Sequence, residues 1–465
     1  MSSTIDIDDA PGGLAGRGAP KAIRGKRWID DWRPEDREFW DATGAVIARR
    51  NLLVSVLSEH IGFSVWSLWS VLVLFLGPQY HIDPAGKFLL TAVPTLVGAL
   101  LRLPYTFAVA KFGGRNFTIF SALLLLLPTV FIAVVLSPGV SYSTLLVASA
   151  VAGVGGGNFA SSMTNINAFY PQRLKGWALG LNAGGGNLGV AVVQLIGLLV
   201  LSTAGASHPR LMVAIYIPLI VLAALGAAMT MDNLSVAANA KGAMRRVCRD
   251  KHTWVIALLY IGTFGSFIGF GFAFGQVLQV QFKSTFATPV KAAYLTFLGP
   301  LLGSVVRPYG GKLADRFGGS MVTFVNFIAM ALGAGLVLIA ALQKSLPLYL
   351  VGFNALFIFS GLGNGSTYKM IPAIFKAKGQ LLIDAGAEPT ETMRESTRLS
   401  GALIGVAGAI GALGGVLVNL VFRQSFLAYR SATAAYIAFL CFYGVCILAT
   451  WFFYLRKSPQ RLEGV

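Results

Sequence analysis

Twelve apolar stretches of about twenty residues recur along this 465-residue chain, and no other feature restricts its fold so tightly. They lie near 52–76, 87–110, 116–136, 143–168, 176–201, 211–230, 253–280, 290–312, 320–342, 347–375, 398–422 and 430–455. A helix of about twenty residues, rising 1.5 Å per residue, crosses the hydrocarbon core of a bilayer. In lipid, backbone N–H and C=O groups must be paired within the segment, so helix is the form these stretches must take. Only 12% of residues are charged and 55% are hydrophobic, against about 25% charged in soluble domains. The reading is an all-α membrane protein with twelve transmembrane helices.

The formal net charge is +18, but its placement argues against a nucleic-acid partner. Loops on the N-terminal side hold KFGGR, PQRLKG, KGAMRRVCRDKH, KLADRF and KAKGQ, then LRKSPQR. The opposite loops hold GPQYHIDPAGK, SPGVSYS, TAGASHPR, QFKSTFATPVK, LQKSLP and FRQSFLAYR. With the N-terminal tail counted, the first set carries roughly four times as many Lys and Arg, so both termini are expected in the cytoplasm of a multi-pass cell-membrane protein. Cys248, Cys441 and Cys446 show no metal-ligand spacing, and His60, His81, His208 and His252 are scattered. With no HExxH or CxxC, no metal, cofactor or enzymatic role is expected. The first fifty residues or so are polar, with no apolar core of a cleavable leader.

Residues 1–50 are read as a cytoplasmic tail, disordered to about residue 28. In DWRPEDREFWDATGAVIARRN, Pro34 suits a first helical turn. Trp32, Phe39, Trp40 and Ile47 suit either an interfacial helix or a leader packed on the first span. The six-helix halves are expected at 51–232 and 253–455, with a basic linker at 233–252, an insertion at 376–397 and a tail at 456–465.

Arg102 interrupts the apolar run TLVGALLRLPYTF, and it has a twin. GALLRLPYTFAVAKFGG (98–114) aligns without gaps to GSVVRPYGGKLADRFGG (303–319), matching Arg102 with Arg307. GVGGGN (153–158) is echoed by GLGNGS (361–366) at nearly the same separation. Such repetition signals two pseudo-symmetric halves with a binding site between them near the bilayer midplane. The arginines sit about nine residues before the loop that closes each copy, roughly 13 Å into the membrane.

A central arginine costs roughly 2.5–3.5 kcal/mol on insertion scales. Glu59 is the one clear acid at membrane depth, so carboxylates do not account for both cations. Two cations without two anions form an electropositive site for a negative ligand. Arginine stays charged and offers forked N–H donors that match planar oxyanions in pairs. A small flat anion between two forks, with aromatic rings stacked on it, fits that chemistry.

LGLNAGGGNLGVA (179–191) and IGVAGAIGALGGVLV (404–418) space small residues by three and four. Helix packing explains most of these glycines; near a cavity they also leave room for substrate. The literal dinucleotide fingerprint Gly184-x-Gly186-x-x-Gly189 follows no strand and lies inside an apolar helix, so it carries no signal.

GGKLADRFGG resembles the loop motif between spans two and three of a half in the major facilitator superfamily. That resemblance implies the superfamily fold and a gating network for Asp315 and Arg316. GVGGGNFASSMTNINAFYP, GLNAGGGNLGVAVVQ and GVAGAIGALGGVLV strongly resemble the signature regions of the NarK-type nitrate/nitrite porters. DWRPED, VWSLWS, LLYIGTFGSFIGF, GLGNGSTYKMIP and the insertion KAKGQLLIDAGAEPTETMREST do likewise, from about residue 31 onward. The resemblance implies nitrate and nitrite as partners besides lipid, a monomer, and a site in which Arg102 and Arg307 hold the anion. It assigns the sandwiching rings to Phe159 and Phe264, a hydroxyl to Tyr260, a polar contact to Asn187 with Gly184 nearby, and contacts to Gly405 and Gly408. Gly408 departs from relatives that carry serine there.

The family's modes are nitrate/nitrite exchange and proton-coupled nitrate uptake. Exchange is the first expectation, because two unscreened guanidinium groups resist closure without an anion. Glu59, beside His60, keeps proton symport open, and a porter for another small anion is a further alternative.

Overall fold

The computed structural model describes residues 27–235, 242–456, 462 and 465. The expected tail up to residue 26, the centre of the linker and most of the tail after 456 lie outside the described residues. Among these residues, twelve helices are long and apolar enough to cross a membrane. They are span 1 (Arg37–Phe75), span 2 (Pro84–Phe112), span 3 (Gly114–Val135), span 4 (Tyr142–Phe169), span 5 (Gln172–Thr203) and span 6 (Pro209–Thr230), then span 7 (Lys251–Gln281), span 8 (Pro289–Phe317), span 9 (Gly319–Leu342), span 10 (Leu346–Asp384), span 11 (Pro389–Tyr429) and span 12 (Thr433–Leu455).

The ends follow local chemistry. Asp83 accepts the Gly86 N–H at 2.6 Å, with Pro84 at the first helical position of span 2. Ser141 accepts the Thr144 N–H at 3.1 Å to start span 4. The repeat in the sequence is a repeat in the backbone. Gly113 (φ 85, ψ 148) and Gly318 (φ 85, ψ 138) make the same turn after spans 2 and 8, at a positive φ that suits glycine. The second echo packs against the first within each half. A Cβ on Gly98 would sit 3.1 Å from Gly153 O, and one on Gly361 only 2.1 Å from Gly303 O.

Two features appear at the edges. The leader forms no separate interfacial helix: Arg37–Phe39 runs through a π turn, Trp40–Gly44, into the body of span 1. Trp32, Phe39 and Trp40 are buried against Phe169 and Tyr170, and the Trp32 indole donates to Phe169 O at 3.2 Å. This is the leader-packing alternative. The insertion at 376–397 is largely helical: spans 10 and 11 extend through it, broken only between Asp384 and Pro389.

Just before the leader helix, Trp28–Ile29 pairs in parallel with Asn233–Leu234. Asp232 accepts from Arg50 and from Asn51 Nδ2 (3.2 Å), tying the end of span 6 to span 1. A short helix, Ala243–Cys248, precedes span 7 and joins the second half through Arg246–Glu395 (2.5 Å), while Asp250, which caps span 7, pairs with Lys378.

Across the seam between halves, the polar and aromatic contacts gather on the side away from the termini. Thr91 donates to Asn419 Oδ1 at 2.7 Å, Gln194 to Gly271 O at 2.8 Å and Gln276 to Pro84 O at 2.5 Å. Phe88 stacks on Phe422 and Phe426 at 5.6 and 5.5 Å. Toward the termini, small residues meet instead: a Cβ on Gly184 would lie 3.8 Å from Ser304 O, and one on Gly405 3.3 Å from Thr106 Oγ1.

Candidate functional site

Arg102 and Arg307 occupy equivalent places on spans 2 and 8, 0% and 3% exposed. Each has a guanidinium N–H with no protein partner, Nη2 of Arg102 and Nη1 of Arg307. Among the described residues, no carboxylate lies within 4.0 Å of either. Leaving such donors buried costs free energy unless a ligand meets them.

The two arginines are held differently. Arg102 donates Nε to Gly156 O (3.2 Å) and Nη1 to Gly408 O (2.6 Å), the second bond crossing from span 2 to span 11 of the other half. Among the described residues, Arg307 donates only to the Tyr260 hydroxyl, from Nη2 at 3.2 Å. Arg102 is thus anchored by backbone, while Arg307 depends on one side chain.

Phe159 and Phe264 fill the space between them. The Arg102 Cζ lies 4.5 Å from the Phe159 centroid and 4.8 Å from that of Phe264, and Arg307 lies 6.0 Å from both. Irregular helix adjoins one ring and carries the other. A 3₁₀ turn, Gly153–Gly157, precedes Phe159, and a π turn, Ile261–Gly265, carries Phe264 just after Tyr260. Such turns rotate a side chain off the ordinary helical face, and they often mark functional sites. The phenylalanine rings come from opposite halves and stack at 5.9 Å with a 28° tilt. A planar ion between two rings needs them about 7 Å apart, twice an ordinary carbon contact. Beside Phe159, a cavity of about 10 Å³ lined by Arg102, Met163, Thr164, Gly405 and Gly408 has room for about one water. Admitting a planar anion between the rings therefore requires them to separate by at least about 1 Å.

The structure brings together Arg102, Arg307, Phe159, Phe264, Tyr260 and Gly408, and Gly405 lines the same cavity. A Cβ on Gly408 would be in ordinary contact with Phe159 (3.5 Å) and Arg102 Nη1 (3.8 Å), so a larger side chain there would reach the guanidinium. Gly184 instead faces span 8 at Ser304 and Pro308. Asn187 is buried with both amide atoms unpartnered and has no hydrogen bond to either arginine. Glu59 is fully buried: Oε2 accepts from Asn182 (2.7 Å), and Oε1 has no hydrogen-bond partner. Gly186 lies against that carboxylate, where a Cβ would be 2.2 Å from Oε1. Asp315 pairs with Lys369 of span 10 at 2.7 Å, and Arg316 lies over the Phe317 ring at 5.0 Å.

Two residues at the site escaped the sequence reading. Trp66 lies 5.4 Å under Arg102, its indole donating to Pro94 O at 2.8 Å. Tyr368 lies 5.8 Å from Arg307 and 5.3 Å from the Tyr260 ring, with its hydroxyl unpartnered. Both sit inside quoted signature stretches, VWSLWS and GLGNGSTYKMIP, where an aromatic among apolar residues gives no separate signal.

Comparison with known proteins places this chain among transporters. The family profile described as Major Facilitator Superfamily matches residues 60–378. The chain is 37% identical over 454 residues to the nitrate/nitrite transporter NarU of Salmonella typhimurium, covering 93% of this chain and 97% of that one. It is 37% identical over 452 residues to NarU of Escherichia coli, covering 92% and 96%. It is 33% identical over 458 residues to the probable nitrate/nitrite antiporter NarK2 of Thermus thermophilus, covering 93% and 98%. Among solved structures, a D-xylose-proton symporter aligns over 90% of this chain and 99% of its own, with TM-score 0.66 and 14% identity. A partially occluded, inward-open form of the xylose transporter XylE from E. coli aligns over 89% and 100%, with TM-score 0.63 and 14% identity. At that identity the likeness speaks for the fold alone.

Proposed function

The chain belongs to the Major Facilitator Superfamily and, within it, to the nitrate/nitrite transporters it matches, and from that premise we propose that it exchanges nitrate for nitrite by holding the anion between Arg102 and Arg307. One observation carries this reading. Two buried guanidinium groups from opposite halves each keep an unpartnered N–H beside the same aromatic pair, with no carboxylate within 4.0 Å among the described residues. A planar oxyanion accepts from both forks and lies flat against the Phe159 and Phe264 faces. Nitrate and nitrite, flat and singly charged, satisfy that geometry.

Exchange follows from the same charges. Without an anion the two cations repel across a low-dielectric gap; with one they are screened, and the halves rock around it. The rings that must separate lie on spans 4 and 7, so admission of the ion and movement of the halves are one event. With both termini in the cytoplasm, the contacts gathered on the opposite face seal the outer side. Glu59 supports proton-coupled uptake as a second reading, because one oxygen of a buried carboxylate is left unpartnered.

The test is counterflow of labelled nitrate in proteoliposomes of the full chain, with and without internal nitrite, across an imposed pH gradient. Exchange predicts uptake that requires internal anion and ignores the gradient. Uptake driven by the gradient into anion-free vesicles establishes symport instead, and transport of formate in preference to both removes the reading.

A further inference from the structure

Lys369 follows Tyr368 on span 10, so the helix that lays an aromatic ring against Arg307 also carries an ammonium toward the terminal side. Its Nζ is 2.7 Å from Asp315 Oδ1 of span 8. It would also lie 3.1 Å from a Cβ on Gly176 of span 5, which belongs to the other half. The ammonium therefore sits in the seam.

Arg307, Gly311 and Asp315 are spaced by four on span 8 and share one face. The pair Asp315–Lys369 lies about two helical turns, roughly 12 Å, nearer the termini than Arg307. Between the two levels there is space beside both helices: a Cβ on Gly180 of span 5 or Gly311 of span 8 would meet nothing within 4 Å. Arg307 Nη1 is unpartnered at the inner end. The outer pair is wet, with Lys369 37% and Asp315 57% exposed. Pairs so exposed are weak and exchange partners readily.

We propose that Lys369 is a capture site for the anion on the terminal side. Its ammonium leaves Asp315 for the entering anion and delivers it along this space to Arg307. A lysine suits this step better than arginine, because a flexible point charge holds an anion without the forked geometry that would retain it. Asp315 then acts as the competitor that keeps Lys369 screened when no anion is near. This inference rests on the exchange reading above.

The experiment measures initial nitrate exchange in vesicles oriented with the terminal side outward, over a range of nitrate concentrations and ionic strengths. Lys369→Gln is expected to raise the half-saturating concentration about two- to fivefold, as a screened single charge allows, with the maximal rate little changed. Its rate should also lose part of the salt dependence of the wild type; Lys369→Arg should restore the half-saturating concentration and the salt dependence while lowering the maximal rate. Asp315→Asn frees the ammonium and is expected to lower the half-saturating concentration. A mere clamp between spans 8 and 10 is broken by either variant and moves both the same way. Shifts in the same direction, or an unshifted Lys369→Gln, overturn capture by Lys369 while leaving exchange intact. Absence of nitrate exchange in the wild type overturns the exchange reading, and this inference with it.

Discussion

Gly411→Ala probes the site through a methyl group that touches no ligand. On span 11, a Cβ at this position would lie 2.2 Å from Tyr260 Cδ1 and 3.0 Å from both Cε1 and Cγ. Ordinary contact begins at 3.4 Å, so the ring must retreat by about 1.2 Å, the difference between 3.4 and 2.2. The helices cannot part easily to spare it. Spans 7 and 11 already meet backbone to backbone, where a Cβ on Gly265 would be 2.6 Å from Gly414 Cα. The Tyr260 ring is also stacked on Phe264 at 5.2 Å and 6°, and its hydroxyl holds Arg307 Nη2 at 3.2 Å. A shift of about 1 Å takes that hydroxyl out of hydrogen-bond reach. Overpacking costs about 1–3 kcal/mol of stability. Losing a hydrogen bond to a charged group costs about 1.5–3 kcal/mol, which sets roughly a 10- to 150-fold upper limit on the loss of nitrate affinity. The assay pairs nitrate half-saturation in counterflow with thermal unfolding, for Gly411→Ala, Tyr260→Phe and the double variant. If the methyl acts by displacing the hydroxyl, it adds little affinity loss on the Tyr260→Phe background, and the cycle is strongly non-additive. Additive effects, or wild-type affinity in Gly411→Ala, refute the chain of contacts from Gly411 to Arg307.

Arg102→Lys leaves the Gly156 and Gly408 carbonyls competing for one ammonium, and Arg307→Lys loses the fork that meets the anion. Each is expected to keep the fold, checked by size-exclusion chromatography, and to lose at least about tenfold in exchange rate at fixed nitrate. Glu59→Gln keeps the side chain's shape against Gly186, so exchange should persist unchanged; loss of pH-driven nitrate uptake in that variant identifies symport. At the base of span 7, burial works to raise the Asp250 carboxyl, but Lys378 and the His252 backbone N–H outweigh it and hold the group below its ordinary 3.8. A depressed carboxyl stabilises the fold above the unfolded value and loses that contribution as pH falls through the folded one. Melting temperatures of wild type and Asp250→Asn should therefore differ at neutral pH and converge below about pH 4.

Much of this protein is legible in its sequence because lipid leaves the backbone few options. The span count and the internal repeat follow from apolar length and from matching Arg102 with Arg307. Their want of intramembrane acids is visible in the same way, since charges in an apolar run stand out one residue at a time. Helical extension of spans 10 and 11 through 376–397 was hidden, because those turns project beyond lipid and carry the polarity of a loop. The burial of Trp32 and Trp40 was equally hidden, since an aromatic facing lipid and one facing Phe169 read alike.

What the sequence determined alone is therefore which groups are costly to bury, and how the two halves correspond. Only the tertiary structure decided which rings meet those groups. Phe159 and Phe264 stack across the seam, Trp66 lies under Arg102, Tyr368 lies beside Arg307, and Gly411 makes room for Tyr260. These contacts join residues far apart in the chain, on helices whose faces are turned by a 3₁₀ and a π segment. Apolar periodicity records that a side chain leaves water; it holds no record of which neighbour the side chain then touches.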